Sequence, residues 1–91
     1  MVKSGKGSAG SHAAAAECAL SELADGRGGT VVSVGGDESL RRRLLEMGFC
    51  NGAHVRVVRR APLGDPIELK LRGYSLSLRD EQARHVRVAP R

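Results

Sequence analysis

The stretch from Ile67 to Leu78 leaves this chain little choice of fold. Ile67, Leu69 and Leu71 alternate with Glu68, Lys70 and Arg72; then Tyr74, Leu76 and Leu78 alternate with Ser75, Ser77 and Arg79. A period of two places successive side chains on opposite faces of a strand, so each run is a half-buried strand with one aliphatic face. Arg72-Gly73 is the turn between them, and Tyr74 is expected to point inward with Leu76 and Leu78. An isolated hairpin is marginal in water. The rest of the chain must therefore supply more strands and a cover for the aliphatic face.

The remaining segments read the same way. Thr30 to Val34 is short and β-branched, a first strand stopped by Gly35-Gly36. Asp25 to Gly29 is a turn-rich connector before it. Asn51-Gly52 precedes a second strand at about Ala53 to Arg60, with Val55 and Val57 on one face and His54, Arg56 and Val58 on the other. Val86 and Val88 make a last strand, after a helical turn over Asp80 to Arg84. One helix interrupts the set. Asp37 is its N-cap, and Leu40, Leu44 and Met47 share one face. Gly48 is the left-handed stop, followed by Phe49 as its apolar contact. Leu20 and Leu23, three apart, mark a single helical or 3₁₀ turn. The sum is mainly β: a small antiparallel barrel of about five short strands with one inserted α-helix, Asp37 to Met47. Closure of the barrel would hide the sheet edges.

A chain of 91 residues holds one small domain and no cleft between domains. Residues 1–16 are Gly, Ser, Ala, Lys and His with almost no large apolar side chain. They are expected to form a disordered tail before a domain over residues 17–91. No Leu-rich leader follows the N-terminal lysines, and no apolar run approaches the roughly 20 residues of a membrane span. Two distant cysteines do not make a secreted disulfide framework. The expectation is a cytoplasmic, non-membrane-spanning protein with reduced thiols.

Chemistry-bearing motifs are sparse. There is no GxSxG elbow, phosphate-binding GxxxxGK[ST] or HExxH pattern, and the carboxylates are scattered, so no enzymatic activity is expected. Possible metal donors are His12, Cys18, Cys50, His54 and His85. Cys50 and His54 flank the Asn51-Gly52 turn, and His54 could meet His85 if their strands pair. The competing reading is a half-buried thiol and ordinary surface histidines. The net charge of +5 favours anionic partners. Arg41-Arg42-Arg43, Arg56, Arg59-Arg60, Arg72, Arg79, Arg84 and Arg87 could face phosphates. Single-strand binding, however, uses aromatic platforms, and aromatics are 2% of the chain. No nucleic acid is expected. Leu63 stands between Pro62 and Gly64 at a loop tip. It either docks on a partner protein or folds back over the barrel mouth.

From Leu20 to Val88 the chain resembles the FeoA family, small cytoplasmic proteins of bacterial ferrous iron transport. The residues that carry the resemblance are Leu20-Ser21-Glu22-Leu23, Leu44-Leu45-Glu46-Met47-Gly48, Gly52, Ala61-Pro62-Leu63-Gly64-Asp65-Pro66-Ile67, Gly73, Leu76-Ser77-Leu78-Arg79 with Glu81 and Ala83, and Val86 with Val88. Cys50-Asn51 departs from it where a proline is common, and residues 1–16 lie outside it. The resemblance implies an SH3-like barrel. It also implies a partner, the FeoB-type membrane transporter with its cytoplasmic GTPase domain, and a regulatory or assembly role. The expected contact surface is the helix end (Leu44, Met47, Gly48, Phe49) with the loop (Pro62, Leu63, Asp65, Pro66). No catalytic residue and no required cofactor are expected. A divalent transition metal, iron or zinc, held through Cys50, His54 or His85, is the alternative, beside a basic-surface nucleic-acid-binding barrel.

Overall fold

The computed structural model describes residues 17–91. The expected tail over residues 1–16, and His12 within it, lie outside the described residues. The elements in order are β1 (Cys18–Ala19), a 3₁₀ turn (Leu20–Glu22), β2 (Gly28–Val34), α1 (Glu38–Met47), β3 (His54–Arg60), β4 (Ile67–Leu71), β5 (Tyr74–Leu78), α2 (Asp80–Ala83) and β6 (Val86–Pro90). All strands form one antiparallel six-stranded sheet in the order β1-β6-β2-β3-β4-β5. The extra strand relative to expectation is β1, two residues paired with Val88 and Arg87.

The sheet rolls on itself. The 3₁₀ turn that follows one edge strand packs against α2, which follows the other. Bulges between Val31 and Ser33 in β2 and between Val57 and Arg59 in β3 supply the bend. The second bulge also breaks the alternation of β3: Val58 is outward as expected beside buried Val57, but Arg59 after it is exposed as well. Full closure does not occur: among the described residues β1 and β5 remain the sheet edges, bridged by packed turns rather than by a ladder. On the β5 edge Tyr74 is 73% exposed, so the inward expectation fails. Within β5 burial increases along the strand, from exposed Tyr74 through half-buried Leu76 to buried Leu78.

The core is aliphatic, with Phe49 as its largest member. Each such fully buried side chain contributes about 1.5–3 kcal/mol of transfer free energy. The helix begins and ends as its sequence dictates. Asp37 Oδ1 accepts the Leu40 N–H at 2.8 Å. Gly48 takes φ 111°, and its N–H reaches the Leu44 and Leu45 carbonyls. The first long strand starts earlier than the turn-rich sequence suggested. Gly28 and Gly29 belong to β2 because the neighbouring backbone passes there; a Cβ on Gly29 would lie 2.7 Å from the Ala89 carbonyl oxygen.

Candidate partner-docking surface

The loop into β4 is fixed at its base and bare at its tip. Gly64 N–H donates to the Ala61 carbonyl at 2.7 Å, closing a turn with Pro62 second and Gly64 fourth, the positions at which a type I turn favours these residues. Ala61 N–H donates to the Pro66 carbonyl at 3.0 Å. Asp65 Oδ1 accepts the Asp80 N–H at 2.8 Å, and its Oδ2 lies 3.7 Å from Arg79 Nη1. Asp65 thus ties the loop to the start of α2 and remains exposed. Leu63 is 96% exposed. It does not fold over the barrel mouth, so that alternative is closed.

The helix end does not extend this surface. Leu44 and Phe49 are both 0% exposed; they are core, and their side chains are unavailable to a partner of the folded domain. Met47 remains exposed and Gly48 half-buried. Gly48 abuts the far end of β4, where an added Cβ would lie 3.3 Å from Leu71 Cδ2. The loop abuts the near end, at Ile67. Five residues of strand separate the two, about 13 Å at the usual rise. They are two exposed points, not one patch. The family resemblance joins them, and their adjacency in space is not legible in the sequence.

The metal candidates also come apart. β3 and β6 do not pair, because β2 lies between them. His54 sits opposite Thr30, whereas His85 lies beyond the other end of β2, its carbonyl accepting the Gly35 N–H. His54 Nδ1 is 2.8 Å from Arg91 Nη1, and Cys50 Sγ is 3.8 Å from Arg72 Nη1. Burial, and next the Glu22 charge, push the Cys18 thiol up, against Arg87 and Arg27, so it is a poor source of thiolate. Among the described residues no three His, Cys, Asp or Glu side chains converge as metal ligands.

The structure is thus a small SH3-like β domain with one aliphatic side chain held out on a loop closed by its own hydrogen bonds. The FeoA domain family matches residues 18–90, and the chain belongs to that family, whose domain is linked to ferrous iron transport. It is 44% identical over 69 residues to the Fe(2+) transport protein A/Fe(2+) transporter FeoB fusion protein of Porphyromonas gingivalis, covering 76% of this chain and 8% of that protein. It therefore spans under a tenth of that relative's length. Among solved structures it is similar to the FeoA protein of Chlorobium tepidum, with 42% identity, TM-score 0.73, and 78% and 68% of the two chains covered. It is likewise similar to Stenotrophomonas maltophilia FeoA complexed with zinc, a prokaryotic SH3-domain protein, with 31% identity, TM-score 0.70, and 80% and 94% covered. None of the described helices is long and apolar enough to cross a membrane.

Proposed function

We propose that residues 17–91 form a cytoplasmic, non-enzymatic accessory domain of ferrous iron uptake, which acts by docking the Leu63 loop onto the cytoplasmic part of a FeoB-type transporter. Iron is the cargo of that transporter. The observation that carries the reading is the 96% exposure of Leu63 on a loop closed by its own hydrogen bonds. A preorganised loop gives up little conformational entropy on binding, and one buried Leu anchor gains about 1.5–3 kcal/mol. The fusion of the two proteins in the P. gingivalis relative supports the partner. The net charge of +5 favours approach to an acidic face.

The test is ferrous iron uptake in cells whose own copy is replaced by Leu63→Asp or Leu63→Met. The docking reading predicts that Asp abolishes the stimulation of uptake and that Met retains it. Normal uptake with a folded Leu63→Asp protein would overturn it.

A further inference from the structure

An open groove runs across the exposed face of β2, β3 and β4 at the end remote from Leu63. It is lined by Arg27, Arg56, Lys70, Arg72 and Arg91, with His54 and the backbone of Gly26, Gly28, Gly29 and Gly73 between them. No carboxylate side chain lines it. We propose that this groove binds a compact polyphosphate, the di- or triphosphate group of a small molecule.

The distribution of ion pairs singles the groove out. Arg42, Arg59, Arg60, Arg79 and Arg84 each lie within ion-pair distance of an Asp or Glu. None of them lines the groove. Of its own cations, Arg27 donates to the main-chain oxygen of Arg91, the last residue, at 3.2 Å and Arg56 donates to the Gly26 carbonyl at 3.1 Å; none of them meets an Asp or Glu side chain among the described residues. Residues 1–16 contain no Asp or Glu to supply one. Arg41, Arg43 and Arg87 are also without a carboxylate partner, but they lie elsewhere; Arg43 shares its surface with Asp37, Glu38 and Glu46.

Two local choices in the groove run against stability. Arg56 stands directly opposite Lys70 in the β3–β4 ladder, and like charges in that position repel. Next along the same ladder, Arg59 opposes Glu68 and they pair at 3.1 Å. The second is Arg72, at φ 53° in the two-residue turn between β4 and β5, where Asn-Gly is the favoured pair. Strained positions that persist point to function, and here a left-handed turn residue and a like-charge pair feed one groove.

The class of anion follows from the shape. A groove with concentrated positive charge focuses the field on whatever enters it. Guanidinium forks match phosphate oxygens in bidentate fashion. The Arg59–Glu68 pair ends the unneutralised patch along β3, so the ligand is compact rather than an extended strand. No Phe, Tyr or Trp lines the groove, only the single His54 ring, which leaves no run of stacking platforms for single-stranded nucleic acid. An acidic peptide presents its charges too sparsely, about 3.3 Å per residue on alternating faces.

The experiment is an amide chemical-shift titration of the full chain with tripolyphosphate at physiological salt, beside single-stranded oligothymidylate and polyglutamate. The expected result is saturable shifts confined to Gly26–Gly29, His54, Arg56 and Arg72-Gly73. Two variants separate binding from folding. Lys70→Glu replaces the repulsion by an ion pair with Arg56, and Arg72→Asn suits the left-handed turn. Each should melt no lower than the parent while weakening tripolyphosphate, Lys70→Glu by roughly tenfold or more; Arg43→Glu should leave binding unchanged. Shifts that do not saturate, that spread to Arg41–Arg43, or that survive Lys70→Glu would overturn the proposal. So would tighter binding of oligothymidylate or polyglutamate than of tripolyphosphate.

Discussion

The two connections that flank β4 obey different rules. The entry loop, Ala61 to Pro66, follows local preference nearly everywhere. Proline and glycine sit where the turn wants them, the backbone closes on itself, and Asp65 caps the neighbouring helical turn. It leaves Leu63 in water. The exit turn, Arg72-Gly73, departs in its backbone, with an arginine at positive φ, and in its surroundings, with clustered cations and no Asp or Glu side chain among them. One end of the strand is thus a rigid mount for an apolar anchor. The other accepts local cost to concentrate charge. The comparison teaches that the exception at each end, rather than the general composition, marks what that end is for.

The largest expected effect removes support beneath the exit end. Phe49→Ala should cost about 3–5 kcal/mol, read by denaturant unfolding, because the ring is core. A loss below about 1 kcal/mol would return Phe49 to the surface and break the separation of the two ends. At the entry loop, Asp65→Ala should cost about 1 kcal/mol and speed amide exchange in α2 and at Gly64. An unchanged exchange rate would mean that Asp65 does not fix the loop. Leu63→Asp should alter stability by no more than about 0.5 kcal/mol, since the side chain packs on nothing; a larger loss would make Leu63 structural.

The smallest effect concerns Cys18. Its folded-state thiol is raised by burial and by Glu22, so the folded protein holds that proton more tightly than the unfolded chain. Stability from this source is fully present below the ordinary thiol range and declines as pH rises through the shifted value. Thermal melts from neutral to alkaline pH should therefore fall slightly less steeply in Cys18→Ala than in the parent. Identical slopes would remove the assignment.

The sequence was informative wherever function and local preference agree. The Ile67–Leu71 and Tyr74–Leu78 alternation, the Asp37 cap and the Gly48 stop each appear in place. The two-residue β1 was illegible because its pairing with β6 is set by tertiary contact alone. Gly28 and Gly29 read as a turn, since a glycine required by close backbone approach looks the same in sequence as one required by a bend. Leu44 and Phe49 were assigned to a surface that they in fact support from within. Exposure of Leu63 was legible as an option, from Pro62 and Gly64 around it, and only the packed loop base decides it. The groove was least legible, because Arg27, Arg56, Lys70 and Arg91 come from distant segments and meet only through strand register.

The most direct test of docking is an amide chemical-shift titration of isotope-labelled protein with the cytoplasmic GTPase-containing domain of a FeoB-type transporter from the same organism. The account predicts shifts centred on Pro62 to Pro66, lost in Leu63→Asp while the spectrum of the free variant stays folded. Shifts centred on α1, or a titration unchanged by Leu63→Asp, would contradict it.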